Sequence, residues 1–147
     1  MHIHQATTSD IERLAPLFDG YRQFYGKSSD VEAARQFLYE RFKNYQSVIF
    51  LANAENGEAV GFAQLFPSFS SVSMARTFIL NDLFVVPGGR RHGAGAMLLD
   101  AVEQYGRSVG AIRITLSTGI ENGSAKALYL SRGWKQDEAF HVFHLGL

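Results

Sequence analysis

The chain has 147 residues, 46% apolar and 13% aromatic, a composition that supports a packed core and argues against extended disorder. Fourteen Lys and Arg balance fourteen Asp and Glu, so no global field draws the protein to nucleic acid or to an anionic membrane, and any anion site must be local. Cysteine is absent, which excludes disulfides, thiolate metal sites and cysteine nucleophiles and is compatible with a reducing compartment.

This length predicts one domain, 1–147, and therefore one site. MHIHQATTSD lacks the basic segment and apolar stretch of a signal peptide, and no apolar run approaches the roughly 20 residues that cross a bilayer, so a cytoplasmic protein without a membrane partner is expected.

HIHQA reads as a first strand. Thr8, Ser9 and Asp10 then offer capping oxygens to a helix whose apolar stripe is Ile11, Leu14, Leu17, Phe18, Tyr21 and Tyr25, with Pro16 expected to kink or reset it. A second helix is predicted after Ser29, with Glu32 completing a capping box and Val31, Ala34, Phe37, Leu38 and Phe42 as its buried stripe. SVIFLANA and AVGFAQLF read as strands joined by a tight turn at Asn56-Gly57, and ARTFILNDLFVV as a third strand ending at Pro87-Gly88-Gly89. A helix follows with Ala94, Met97, Leu98, Ala101, Val102, Tyr105 and Val109 on one face, then the strand AIRITLST. A short helix starts at Asn122 and stops at Gly133, and WKQDE with AFHVFHLGL closes the chain as a strand pair. The order implies an α/β (α+β) fold: a mixed, mostly antiparallel sheet of about seven strands, about four flanking helices, and a parallel strand-helix-strand unit from Ala75 to Thr118.

Five histidines raise a metal hypothesis, since His2-x-His4 projects two imidazoles from one strand face and His141 lies near His144. No carboxylate spacing completes a site, and no metal is expected.

The segment RRHGAG, residues 90–95, sits between a strand's end and a helix's start, where backbone N–H groups lack partners and the helix dipole is positive. Gly93 and Gly95 would allow a ligand close to the backbone, and Arg90 and Arg91 carry donors suited to phosphate oxygens. Two readings are open on these residues alone: a diphosphate cradle, or a glycine-rich turn with solvated arginines. The Walker pattern G-x-x-x-x-G-K-S/T is not matched, and neither is the dinucleotide fingerprint, which belongs at the start of a βαβ fold.

LNDLFVVPGGRRHGAGAMLLDAVEQYGRSVGAIRITLST resembles the acyl-CoA-binding core of the GNAT superfamily of N-acetyltransferases, whose signature is Arg/Gln-x-x-Gly-x-Gly/Ala between a strand and a helix. Arg90, Gly93 and Gly95 match it in register, and NGSAKALYLSRGW resembles the family's next motif. The resemblance implies acetyl-CoA as co-substrate, with its pyrophosphate on the amides of Arg91, His92, Gly93, Ala94, Gly95 and Ala96. It also implies a pantetheine arm paired with the backbone of Leu83, Phe84 and Val85, with the next parallel strand splaying away to open a slot. Tyr129 falls where many members protonate the departing thiolate, and Asn122 would cap its helix and touch the coenzyme arm.

The implied reaction is direct attack by a neutral primary amine, on a polyamine, an amino acid derivative or a protein lysine. In the polyamine acetyltransferase branch, which the chain resembles through TFILNDLFV, an acidic residue commonly occupies the position of Asn81, and asparagine cannot be a base. Asp82 is adjacent but should face the other side of the strand unless a bulge re-aims it, so a structural and a catalytic role both stand open. The Asn81 departure also keeps open a coenzyme-binding module without transfer activity. Acceptor specificity is expected from Tyr21, Arg22, Phe24 and Tyr25 of YRQFYG and from Phe66, Phe69 and the serines of FPSFSSV, where an aromatic pocket suits an amine's stem; Tyr21 and Tyr25 equally suit core packing on their helix's apolar stripe, and Arg22, off that stripe, could meet a substrate carboxylate or nothing. The family often dimerises, and AFHVFHLGL could pair across a homodimer interface.

Overall fold

The computed structural model of the chain describes residues 1–90 and 92–147, which divide into two compact units, Met1–Ser117 and Thr118–Leu147. In the first unit, strand β1 (His2–Gln5) and a single 3-10 turn (Thr8–Asp10) lead into helix α1 (Ile11–Phe24), followed by α2 (Val31–Lys43). Strands β2 (Val48–Asn53), β3 (Ala59–Ser70) and β4 (Ala75–Val85), helix α3 (Ala94–Ser108) and the two-residue strand β5 (Ile114–Thr115) complete it. The sheet order is β1-β2-β3-β4-β5, antiparallel except for the parallel β4–β5 pair.

Several local expectations shift. Pro16 does not break α1: Leu14, Ala15, Leu17 and Phe18 around it are buried, and tertiary packing overrides the one lost backbone bond. The N-cap of α2 is Asp30, whose Oδ1 accepts from the Ala33 amide at 3.0 Å, rather than Ser29, whose hydroxyl donates to Asp19 at 2.7 Å. Strand β3 continues through Pro67 to Ser70 because β2 pairs only as far as Leu65, which leaves Pro67 on an edge where no donor is needed.

Two cores sandwich the sheet. Leu14, Phe18 and Leu38 of the first two helices bury Ile49, Leu51 and Phe62 on one face. On the other, Tyr105 of α3 sets its ring against Phe50 at 5.8 Å and Phe78 at 5.6 Å.

In the second unit, Asn122 Oδ1 accepts from the Ala125 amide at 3.2 Å and caps α4 (Gly123–Ser131), which ends before Gly133 at φ +89°. The expected closing strand pair does not form: residues 134–147 carry neither helix nor strand, so the described sheet has five strands rather than about seven. A lone two-stranded ribbon is marginal in water, and Phe140, Val142, Phe143, Leu145 and Leu147 of this segment are exposed rather than buried in a core of their own.

Candidate active site

The β3–β4 ladder pairs Gln64 with Asp82 and then Leu65 with Leu80, leaving Asn81 as an extra residue. This is a β-bulge, and it reverses which way the rest of β4 faces. Phe78 packs on Tyr105 of α3, whereas Phe84, six residues on and on the same side in a regular strand, packs on Tyr21 of α1 at 6.0 Å. The condition under which Asp82 would be re-aimed is therefore met: its side chain points under α1 and α2.

There it meets a cavity of about 340 Å³. Helix α1 contributes Phe18, Tyr21 and Arg22 to the wall. Helix α2 contributes Ala33, Ala34 and Phe37, and the sheet closes it with Phe66, Asn81 and Asp82. The Phe37 ring stacks on Phe18 at 5.5 Å, so its partial exposure faces a lined space rather than being an unpacked stripe position.

Asp82 is 3% exposed, and its carboxylate has donors on both oxygens. Gln64 Nε2 donates to Oδ2, and Asn81 Nδ2 donates to Oδ1 at 3.1 Å. The Tyr21 hydroxyl donates to the Asn81 carbonyl oxygen at 3.3 Å. Burial pushes the Asp82 carboxyl above the usual carboxylate range, and the donors from Gln64, Tyr21 and Asn81 offset that only in part. Burial and the neighbouring Asp82 charge together raise the Tyr21 phenol, which holds its proton.

A second feature lies on the β5 side of β4. The parallel pairing covers only Phe78 with Ile114 and Ile79 with Thr115, so from Leu80 to Val85 the strand has no described ladder on that side. Beyond the 3-10 turn Pro87–Gly89, the N-cap of α3 is Gly93 at φ +79°, with no side chain capping it. The first helical bond runs from the Met97 amide to the Gly93 carbonyl, so the amides of Ala94, Gly95 and Ala96 precede the helical ladder and have no partner within it. A Cβ on Gly93 would meet nothing within 4 Å among the described residues, and its left-handed backbone selects glycine here. Arg90 donates from Nε to the Val85 carbonyl at 3.0 Å, with its guanidinium 6.0 Å from the Phe24 ring.

The sequence profile of the Acetyltransferase (GNAT) family matches residues 14–134. The chain belongs to the GNAT family. It is 51% identical over 140 residues to the uncharacterized N-acetyltransferase YhfO of Bacillus subtilis (strain 168), covering 95% of this chain and 93% of that protein. The crystal structure of a probable acetyltransferase superposes with a TM-score of 0.95 at 41% identity, over 100% of this chain and 98% of the other. An aminoglycoside N-acetyltransferase in complex with CoA shares the fold at a TM-score of 0.80 and 21% identity, over 98% and 93% of the two chains. As a GNAT protein the chain is an acyltransferase, and the family's acyl donor is acetyl-CoA.

The remaining residues singled out in this GNAT chain are distributed unevenly. Tyr21, Arg22, Asn81 and Asp82 converge on the cavity, while Tyr25 stands outside it with its ring edge-on to Tyr21 at 5.1 Å. Phe69 is 71% exposed near the end of β3, beneath Arg76 at 5.6 Å, and Phe66 takes the wall position instead. Leu83 and Val85 are half-buried and Phe84 joins the core; His92 is exposed, Ala94 is buried, and Arg91 lies outside the described residues. Tyr129 sits half-buried on α4 with its ring 5.9 Å from Trp134. His4 bonds Asp10 and Asn53 and stacks on His2. Gln64, wholly buried beside Asp82, escaped the sequence reading. Its signal was being the one polar residue inside the apolar run AVGFAQLF.

Proposed function

We propose that this chain transfers an acetyl group from acetyl-CoA to a primary amine of a small molecule, with Asp82 anchoring the incoming ammonium and receiving its proton. The observation that carries the reading is the bulge at Asn81, which supplies the acceptor cavity with the carboxylate that Asn81 itself cannot be. A carboxylate made unfavourable by burial gains by attracting a cation and then by taking a proton. Asn81, by donating to Asp82, orients the carboxylate, and Tyr21 keeps a hydroxyl proton available to it.

Bound acetyl-CoA would supply the thioester carbonyl and the leaving sulfur. The unpaired stretch of β4 suits backbone contacts from Leu83, Phe84 and Val85 to an extended arm, and the start of α3 with Gly93, Ala94, Gly95 and Ala96 suits a diphosphate, so the residues present fit the coenzyme. His92, Arg90 and Arg91 are assigned beside that diphosphate, and Asn122 beside the arm, by resemblance to the family. By the same resemblance Tyr129 returns a proton to the sulfur, a role that a phenol hydroxyl can fill.

A free-thiol release assay with acetyl-CoA and an amine panel tests this. Amine-dependent release that collapses in Asp82→Asn and falls in Tyr129→Phe is the expected result. Tight coenzyme binding without release for any amine would instead identify a binding module that lacks transfer activity.

A further inference from the structure

The cavity brings together one buried acid and one base. Arg22 lines it from α1, opposite in charge to Asp82 on β4, and among the other wall residues only Tyr21 ionises, and it is held neutral. Arg22 has no carboxylate within salt-bridge distance among the described residues, and its hydrogen bond to the Ser28 carbonyl is stretched to 3.5 Å. Asp19, one turn earlier on the same helix, feels the Arg22 charge. The Asp19 oxygens are already engaged by the Ser29 hydroxyl and the Asp30 amide, each at 2.7 Å, and by Gln23 at 3.0 Å. The guanidinium therefore keeps donors for something that enters the cavity.

We infer that the acceptor is a zwitterion of amino acid type, a primary amine and a carboxylate on one apolar scaffold, with the amine directed to Asp82 and the carboxylate to Arg22. This rests on the reading of the cavity as the acceptor site. A guanidinium presents a planar fork that a carboxylate accepts in two parallel bonds, which an ammonium point charge cannot use. The rings of Phe18, Phe37 and Phe66 in the wall of the same cavity suit an apolar stem. The volume of about 340 Å³ is at the small end of ligand pockets, a size for one compact molecule. A polyamine fits this charge pattern poorly, because its second ammonium would find a cation where it needs an acid.

Matched pairs of amines that differ only in a carboxylate separate the possibilities: phenylalanine with phenethylamine, and lysine with cadaverine, with spermidine as the polycation. The acid-bearing member of at least one pair should have the higher kcat/KM, by about 10- to 100-fold if one charge-assisted fork is gained. In Arg22→Gln that ratio should fall toward one, and in Arg22→Glu it should invert toward cadaverine and spermidine, with both variants retaining the wild-type melting profile. Turnover that favours carboxylate-free amines, with ratios unmoved by either substitution, overturns the inference while leaving the acetyltransferase reading intact. Absence of turnover for every amine overturns both.

Discussion

In the proposed function the two sides of β4 hold ligands in different ways. Toward α1 and α2 the site is built of side chains: a buried acid, its two hydrogen-bond donors and a set of aromatics, aimed by one extra residue in the strand. Toward β5 and α3 it is built of backbone, in which side chains matter chiefly by being small. A backbone site survives side-chain drift but depends on conformation, whereas a side-chain site depends on each atom and can be retuned for a new acceptor without disturbing the other.

The largest expected effect comes from crossing the two. Asp82→Asn should lower kcat/KM by about 10²- to 10⁴-fold, the usual scale of a lost proton-transfer group, and leave coenzyme affinity by calorimetry unchanged. Gly93→Val should do the reverse. Its left-handed φ of +79° costs a β-branched residue about 1–2 kcal/mol, so coenzyme affinity should drop by roughly 5- to 30-fold, while the pH profile of the remaining activity keeps its shape. Equal loss of both functions in both variants would mean the two sides are not separable.

The same contrast explains what could be read in advance. The α1 helix, the β2–β3 hairpin and α3 were legible because each has a clear apolar period or turn pair, and the left-handed N-cap of α3 at Gly93 falls on a glycine of RRHGAG. Asp82 was not assignable, since the alternation of β4 breaks at Asn81 and nothing local in TFILNDLFV marks a bulge: the shift is set by pairing with Gln64 and Leu65, which are distant in sequence. The cavity wall from α2 was illegible for a similar reason, because Phe37 belongs to an ordinary apolar stripe until α2 is docked. The closing strands failed differently: their alternation is present, but strand pattern without a partner does not make a strand.

The acid limb of the rate profile sharpens the side-chain half. With Asp82 as the proposed proton acceptor, turnover needs its ionised form, and burial holds its carboxyl above the usual range, so the rate should begin to fall with acidification at a pH above that of an ordinary carboxylate. Folding responds in the opposite sense, because the ionised form is the disfavoured one in the native protein: stability contributed by the buried acid is full below its ordinary value and declines as pH rises through the raised one. Gln64→Leu removes a donor that favours the ionised form, so the acid limb should move to still higher pH. Gln64 Oε1 is buried without a hydrogen-bond partner among the described residues, so rotating the amide would let it accept from protonated Asp82 and stabilise that state instead. In that case the limb would move to lower pH in the variant, and the direction of the shift reports which way the amide sits.

The smallest effect on turnover should come from Asp19, which acts on the cavity only through the chain that carries its wall. Its carboxylate ties the Ser29 hydroxyl and the Asp30 amide to α1 just before Asp30 caps α2, so it sets where Ala33, Ala34 and Phe37 begin. The Asp30 amide, then Ser29, hold the Asp19 carboxyl below the usual carboxylate range, against the opposing effect of burial. With a lowered value in the fold, the contribution is present at neutral pH and is lost as pH falls from the ordinary range through the lowered one. Asp19→Ala should therefore reduce stability by about 1–3 kcal/mol at pH 7, the scale of leaving buried donors unsatisfied, and the gap to the parent protein should close on acidification. Turnover by the folded fraction should change mainly through KM for the amine, because Asp82 and the β4 edge keep their places. A comparable fall in kcat would mean that the loop before α2 contributes to the chemical step rather than to the wall alone.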